Sequence, residues 1–193
     1  MLPVYMSRTM DIKLDKNASL IYQHNFFEDH SLNSILDEVT VKQEKITLYG
    51  KSMNIPRLTA YQGEKTYTYS NIQNPPSLFS KNIQLLKKEI VQLTGFEFNS
   101  VLINYYRDGN DSMGYHKDDE KELDHRLIAS VSFGAVRKIR FKHHKDKKRT
   151  FSLSLGNASL LLMKNIQTDW YHELPKTKRV YKPRLNLTFR RII

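Results

Sequence analysis

The stretch RLNLTFR (184–190) alternates strictly between apolar and polar side chains. Successive side chains of a β-strand point to opposite faces, so one face of this strand is apolar and the other carries two guanidiniums, an amide and a hydroxyl. An ordinary half-exposed strand has the same pattern. If the polar face instead looks into a barrel, two buried arginines require an anionic ligand, and a dicarboxylate suits two guanidiniums.

Outward from this stretch, the C-terminal half is a series of short strand-like runs separated by turns or charged segments. Such a series favours a sandwich, jelly roll or barrel over alternating βα units. We therefore expect a mainly β fold with flanking helices. The runs are 96–106, 127–133, 137–143, 150–155, 158–163, 168–173 and 184–193.

The N-terminal half mixes both kinds of structure. Residues 26–40 predict a short amphipathic helix, with Asp29 or Ser31 as its N-cap. Residues 43–70 are β-prone and rich in tyrosine, and residues 78–94 predict a second helix that ends before Gly95. We expect residues 1–95 to form an α/β extension and residues 96–193 the β core, in one integrated domain.

The composition excludes several classes of protein. Of 193 residues, 39% are hydrophobic and 26% charged, as in folded globular domains. The absence of cysteine excludes disulfide scaffolds, thiolate zinc sites, iron–sulfur clusters and cysteine nucleophiles. There is neither an apolar run of about 20 residues nor a signal-peptide core, so we expect no membrane association and a cytoplasmic or nucleoid location, or a nuclear one in a eukaryote.

The net charge of +11 is concentrated in two segments. Residues 137–149 contain eight basic residues and one acid, and residues 176–191 contain seven basic residues and no acid. Local basic blocks favour a polyanionic partner, usually nucleic acid. A solvated basic face without a ligand is the alternative.

The segment GYHKD places His116 and Asp118 two residues apart, where a strand would point both to one metal ion. A second His-x-Asp pair at 144–146 lies in a lysine-rich block and reads as a solvated turn. His172, flanked by aromatic residues, supplies a third ligand. Two histidines and a carboxylate form the facial triad of non-haem Fe(II) oxygenases, although zinc hydrolases also use this set. The arginine-bearing strand 184–190 favours the oxygenase, because it provides a seat for an anionic co-substrate.

With these motifs in place, the chain resembles the AlkB family of 2-oxoglutarate- and Fe(II)-dependent dioxygenases, over roughly residues 45–193. The similarity is greatest to the mammalian nuclear branch that repairs alkylated duplex DNA. The matching segments are NIPRLTAYQG (54–63), TYTYS (66–70), LINYYRDGNDSMGYHKDDE (102–120), IASVSFGAVRKIRFKH (128–143), SLLLM (159–163), DWYHELP (169–175) and PRLNLTFR (183–190).

The resemblance implies a double-stranded β-helix, or jelly roll, with an N-terminal nucleotide-recognition extension. Its iron ligands are His116, Asp118 and His172. The residues that match its 2-oxoglutarate contacts are Asn104, Tyr106, Arg184, Asn186 and Arg190.

The resemblance also implies a substrate side. Alkylated adenine and cytosine are cationic, and aromatic faces and carboxylates favour a cation. The candidate contacts to the base are Tyr67, Tyr69, Asp119 and Glu120. For the two tyrosines the alternative is strand packing, and for the two acids it is a solvated turn. Tyr49, with Gly50, is the candidate residue that fills the gap left in the base stack, and Arg57 and the two basic blocks are the candidate phosphate contacts.

The implied activity is oxidative removal of alkyl groups from bases such as 1-methyladenine and 3-methylcytosine. It uses Fe(II), O₂ and 2-oxoglutarate and yields succinate, CO₂, an aldehyde and the restored base. The expected partner is alkylated DNA, duplex or single-stranded, or RNA, and the protein is expected to be a monomer. A non-catalytic nucleic-acid binder, or a related oxygenase acting on protein or small molecules, remains open.

Overall fold

The computed structural model describes residues 9–48, 50–69 and 72–193, except for the side chains of Leu48, Tyr69 and Ile72. Neither helix in this part of the chain is long and apolar enough to cross a lipid bilayer. The elements are β1 (Thr9–Lys13), β2 (Ser19–Gln23), α1 (Leu32–Leu36), β3 (Lys45–Leu48), β4 (Lys51–Asn54), β5 (Leu58–Gly63), β6 (Tyr67–Tyr69), β7 (Ile72–Asn74), α2 (Lys81–Thr94), β8 (Ser100–Tyr106), β9 (Met113–His116), β10 (Leu127–Gly134), β11 (Arg137–His143), β12 (Thr150–Leu155), β13 (Ser159–Lys164), β14 (Trp170–Leu174) and β15 (Arg184–Arg190).

Two antiparallel sheets form the body of the fold. The major sheet has the strand order β1-β2-β13-β10-β15-β8-β5, and the minor sheet the order β12-β11-β14-β9. One apolar cluster takes residues from both sheets, such as Ile128 and Leu161 from the major and Phe141 and Leu153 from the minor sheet. The sheets therefore pack face to face, and the expected jelly-roll core with flanking helices is confirmed.

The opposite face of the major sheet is covered by the helices. Ile83, Leu86 and Ile90 of α2 recur at the spacing of one helix face and are fully buried with the apolar residues of β8 and β15. α2 ends at Gly95, whose φ of 64° is the left-handed conformation predicted for that position. α1 covers only Leu32–Leu36, with the predicted Ser31 cap. The predicted helix 26–40 is too long, because Asn25 has a positive φ and residues 24–29 turn.

The N-terminal half contributes three strands to the major sheet. β2 pairs with β13, β1 pairs with β2, and β5 pairs with β8. Sequence patterns missed both strands, because β1 is almost wholly exposed and the alternation of β2 between half-buried and buried residues extends over only five positions. The sheet thus runs across the boundary drawn at residue 95.

A polar contact ties the β1–β2 turn to the start of β14. Asp15 accepts a hydrogen bond from the Trp170 indole at 2.7 Å and pairs with the Arg149 guanidinium. The hydrogen bond from Arg149, and then that from Trp170, lowers the pKa of Asp15. A carboxyl with a lowered folded-state pKa stabilises the fold above its unfolded pKa, and this stability is lost as the pH falls through the folded value.

Asp15→Asn is therefore expected to lower the free energy of unfolding at pH 7. The difference from wild type should shrink as the pH falls below about 4, the unfolded pKa of an aspartate. Urea unfolding at pH 7 and in a series of acidic buffers measures it. Asp11→Asn, on the exposed β1 strand, is the control. A difference that stays constant with pH would contradict this role of Asp15.

The loop that follows β14 is clasped to the loop that follows β8. Gly109 donates its N–H to the Val180 carbonyl and accepts the Thr177 N–H, both at 2.8 Å. The buried Arg137 guanidinium donates to the carbonyls of Asp108, Asp111 and Pro175 at 2.8–3.0 Å. The basic segment 176–182 is thereby held against the body of the protein.

Gly109→Ala is expected to break this clasp. A Cβ at this position would collide with the Thr177 carbonyl oxygen and lie 2.8 Å from that of Val180, and backbone atoms cannot turn away as a flexible side chain can. The expected loss is about 1–3 kcal/mol of unfolding free energy in denaturant titrations. Gly114→Ala is the matched control, since its Cβ meets nothing within 4 Å. Equal stability of the two variants would contradict the importance of the close contact between Gly109 and the loop that follows β14.

Candidate active site between the two sheets

The site is built on β15, between β10 and β8 at the centre of the major sheet. Leu185, Leu187 and Phe189 belong to the apolar cluster beneath the helices, so the alternate residues face the minor sheet. All seven residues of the strand are buried, so β15 is not an ordinary strand with one face exposed to solvent. Arg184 and Arg190 are each 3% exposed, so two guanidiniums are buried between the two sheets, almost out of contact with solvent.

Three candidate metal ligands meet beside this strand. His116 ends β9 and lies opposite His172 of β14 in the strand register, with ring centroids 4.1 Å apart. Asp118 lies two residues beyond the end of β9, so the expectation that it shares a strand with His116 is wrong. One ligand atom from each residue lies within 4.8 Å of the others. Within the described chain, this is the cluster of metal-ligating groups that the fold assembles.

The protonation of the histidines suits metal ligation. Burial, and after it the neighbouring His116, lower the pKa of His172 to about 3. Burial also lowers the pKa of His116. The Nδ1 atom of His116 is hydrogen-bonded to the Gly114 carbonyl at 2.8 Å, which orients Nε2 as the free donor atom. Both rings are thus neutral and able to ligate at neutral pH.

The carboxylate of the cluster is fully buried and ionised. Burial alone would raise the pKa of Asp118, but the Arg190 guanidinium, 2.7 Å from Oδ1, and the two histidines outweigh it and bring the pKa to about 2. In the described part of the chain, Oδ2 has no hydrogen-bond partner. A buried anionic oxygen beside two neutral imidazoles fits a divalent metal ion with nitrogen and oxygen ligands.

Arg184 is the second buried cation, and its surroundings differ. Its Nη2 donates to Ser132 Oγ at 2.9 Å, while its Nε has no partner among the described residues. Burial lowers its pKa to about 10. The titratable groups that influence it are Tyr106, Arg137 and Tyr22, and none of them is a carboxylate. A guanidinium in this position is costly unless an anion joins it, so the surroundings of Arg184 suit an anionic ligand.

The other predicted co-substrate residues surround the same interior. Asn186 is opposite Asn104 in the strand register and donates to Ser130 Oγ at 2.8 Å. The Tyr106 ring lies 5.4 Å from the Arg184 guanidinium carbon. With the three metal ligands and both arginines, these residues line one cavity.

The predicted phosphate contact of Arg57 is wrong. The side chain is only 5% exposed, and its Nε donates a hydrogen bond to Asn104 Oδ1 at 2.7 Å. A guanidinium enclosed in this way does not reach a phosphate backbone. The sequence could not reveal this, because Arg57 lies just after Pro56 in an irregular link whose direction only the fold determines.

The predicted substrate side is described in part. Tyr67 is 1% exposed, stacks on Tyr61 and lies beneath the Arg190 guanidinium at 5.5 Å. Glu120 is half-buried, and burial raises its pKa. Asp119 is exposed and pairs with Lys117 at 2.8 Å. Gly50, with a φ of 75°, turns the β3–β4 hairpin. Tyr49 and the side chain of Tyr69 lie outside the described residues.

The basic segments divide into buried and exposed members. Arg137, Arg184 and Arg190 are buried within the fold. The second His-x-Asp pair, at 144–146, lies in the β11–β12 turn, as expected of a solvated loop. The exposed cations are Lys138, Arg140, Lys145, Lys147, Lys148, Lys176, Lys178, Arg179 and Lys182.

Two residues of the site had no sequence signal. Ser132, which contacts Arg184, reads as an ordinary strand serine. Gln167 accepts the Asp118 N–H at 2.9 Å from a turn far along the chain. Ser132 reaches Arg184 because β10 and β15 are neighbouring strands of the major sheet, and Gln167 reaches Asp118 because the turn before β14 lies beside the segment after β9.

Comparisons with known proteins agree with this geometry. Residues 19–190 match the model of the 2OG-Fe(II) oxygenase superfamily. The chain is 42% identical over 160 residues to the DNA oxidative demethylase ALKBH2 of Mus musculus, covering 77% of this chain and 67% of that protein. For the Homo sapiens protein of the same name these values are 40%, 77% and 61%.

A second group of relatives is similar over more of the chain. The alpha-ketoglutarate-dependent dioxygenase alkB homolog 3 of Homo sapiens is 37% identical over 175 residues, which are 85% of this chain and 61% of that protein. The chain thus spans about two thirds or less of the length of these curated relatives.

The fold has a counterpart among solved structures. The structure of OsALKBH1 superposes with a TM-score of 0.67 at 14% sequence identity, covering 94% of this chain and all of that one. At this identity the likeness concerns the fold alone. Together, the family match, the relatives and the His-Asp-His cluster beside two buried arginines show that the chain belongs to the 2OG-Fe(II) oxygenase superfamily, as a member of its AlkB family.

Proposed function

We propose that this protein removes alkyl groups oxidatively from the ring nitrogens of nucleobases in DNA, of the 1-methyladenine and 3-methylcytosine type. The observation that carries the proposal is the pairing of a His-Asp-His cluster with Arg184, a buried cation without an acidic partner. Relatives at 37–42% identity are named as DNA oxidative demethylases and alpha-ketoglutarate-dependent dioxygenases, which supports both substrate and co-substrate.

In this proposal, His116, Asp118 and His172 hold Fe(II). The oxidation of the alkyl carbon is the chemistry that iron, O₂ and 2-oxoglutarate supply together when bound, with succinate and CO₂ as products. The hydroxylated alkyl group then leaves the ring nitrogen as an aldehyde. The protein contributes ligation, orientation and the exclusion of water.

The co-substrate is held at its two ends by the two arginines. Arg184, with Ser132 behind it and Tyr106 beside it, pairs with one carboxylate. Arg190, already bonded to Asp118, offers its remaining N–H groups beside the metal ligands. Asn104 and Asn186 lie between them as polar groups of fixed orientation. A buried guanidinium binds a carboxylate more tightly than one in water, because the surrounding dielectric is low.

The alkylated base enters on the side of Tyr67. The carboxylates of Asp119 and Glu120, on the side of the buried Tyr67, favour a cationic base over the neutral repaired base. A base in duplex DNA must leave the stack to reach this pocket. We propose that the exposed β3–β4 hairpin inserts where the base has left, and that Tyr49, which precedes Gly50 in the sequence, is the residue that fills the gap.

The exposed cations of the two basic segments hold the phosphate backbone. A half-buried member of the first segment, Lys142, adds positive charge near the site: its Nζ lies 4.0 Å from the centroid of the Tyr115 ring, and Tyr115 directly precedes the metal ligand His116. Phosphate contacts of this kind weaken steeply as salt rises. We propose that the protein acts as a monomer, in the nucleoid or nucleus where its nucleic-acid substrate is found.

The test is an incubation with Fe(II), ascorbate, 2-oxoglutarate and an oligonucleotide that carries one 1-methyladenine. Mass spectrometry follows the loss of one methyl group in single-stranded DNA, duplex DNA and RNA. His116→Ala is the inactive control, and a salt series measures the phosphate contribution. Demethylation by wild type alone supports the proposal. Succinate without demethylation would point to an oxygenase with another substrate, and binding without either product to a nucleic-acid binder.

A further inference from the structure

The three metal ligands are not positioned by the same forces. His116 and His172 face each other in the β9–β14 ladder, so strand pairing fixes their backbones. β9 ends at His116, and no strand pairing extends to Asp118 in the described chain. Something other than the sheet must therefore hold the backbone of the carboxylate ligand.

The contact that does so comes from Gln167. This side chain is fully buried, and its Oε1 accepts the Asp118 N–H at 2.9 Å. The Asp118 carboxylate is bonded separately to Arg190. Backbone and side chain of the ligand are thus held by two different residues from two different elements.

Gln167 itself sits in a tight turn that leads into β14. The N–H groups of Asp169 and Trp170 both donate to the Ile166 carbonyl, at 3.2 and 2.9 Å. Lys117 adds a second contact, from its Nζ to the Thr168 carbonyl at 3.4 Å. The same turn therefore positions the segment bearing Asp118 and begins the strand bearing His172.

Removing the Gln167 acceptor has a clear physical consequence. A buried backbone N–H without a partner is costly, so the Asp118 segment would shift toward water or another acceptor. Metal sites tolerate displacements of only a few tenths of an ångström in their ligands. Residues that orient ligands typically contribute 10- to 100-fold to metal affinity.

We infer that Gln167 is a positioning residue that sets the metal affinity of the site by fixing the backbone of Asp118. The inference rests on the proposed function only in taking the His-Asp-His cluster as a metal site. Substrate identity and turnover do not enter it.

The test compares Gln167→Met, which keeps the size of the side chain but removes the acceptor, with Ile166→Val, a buried apolar change in the same turn. Mn²⁺ and Co²⁺ affinities are measured calorimetrically on the full chain, without 2-oxoglutarate or nucleic acid. Gln167→Met is expected to weaken binding about 10- to 100-fold. Ile166→Val is expected to bind like wild type.

A second measurement is independent of metal. Amide hydrogen exchange at Asp118 in the metal-free protein is expected to be faster in Gln167→Met than in wild type and Ile166→Val. Unchanged metal affinity and exchange in a folded Gln167→Met variant would overturn the inference, as would an equal loss in Ile166→Val or a wild type that binds no metal. Wild type that binds metal but does not demethylate would overturn the proposed substrate alone.

Discussion

Replacing Arg184 with Met is expected to abolish 2-oxoglutarate-dependent turnover while leaving the unliganded protein as stable as wild type, or more stable. The guanidinium is 3% exposed and has no acidic partner among the described residues, so the unliganded fold bears the cost of desolvating it. An apolar side chain of similar length removes that cost. A site residue whose loss stabilises the protein is the signature of a seat for an external anion.

The affinity for 2-oxoglutarate should fall about 30-fold or more, because truncating one partner of a buried charge pair costs about 2–5 kcal/mol. Calorimetry gives the affinity, succinate release gives the turnover, and urea unfolding without ligand gives the stability. Arg179→Met, which removes an exposed cation, is the control and should keep co-substrate affinity. Unchanged affinity in Arg184→Met, or a large loss of stability, would contradict this assignment.

Asp118→Ala is expected to have the opposite signature, losing both turnover and stability. The carboxylate forms a buried ion pair with Arg190 at 2.7 Å, with side-chain exposures of 1% and 4%. Removing one partner of a buried pair leaves an uncompensated charge and costs about 3–5 kcal/mol. Denaturant unfolding of the metal-free protein measures this loss.

A double variant separates the charge effect from the loss of volume. Asp118→Ala combined with Arg190→Met removes both charges and should recover part of the lost stability without restoring turnover. His116→Ala should abolish turnover without a comparable charge penalty. Equal stabilities of Asp118→Ala and His116→Ala would indicate that the Arg190 pair contributes nothing in the metal-free fold.

Local pattern was sufficient for much of this fold. The alternation of residues 184–190 predicted both faces of β15, and Gly95 predicted the end of α2. These elements were predictable because each has a strong periodicity and a clear end signal. β1 and β2 were missed, since each has only five residues, β1 is almost wholly exposed, and β13, the partner of β2, lies about 140 residues away.

The candidate site was predictable where chemistry restricts residue type. Histidines, an aspartate and paired arginines have few reasons to occur together, and the fold gathers all of them. Arg57 and Gln167 show the limit. Arg57 is buried with a hydrogen bond to Asn104, and Gln167 accepts a hydrogen bond from Asp118, 49 positions away in the sequence. Such contacts depend on the tertiary fold, which local sequence patterns do not reveal.

β15 has a further consequence for binding. Its seven residues are all buried, and its two arginines are bonded to Ser132 and Asp118 within the folded protein. A free arginine side chain carries about 2 kcal/mol of rotamer entropy. Here that entropy is lost once, during folding, so a dicarboxylate meets two guanidiniums that are already ordered. Preorganisation of this kind lowers the entropic cost of binding a small, flexible metabolite, because the protein side chains need no further ordering.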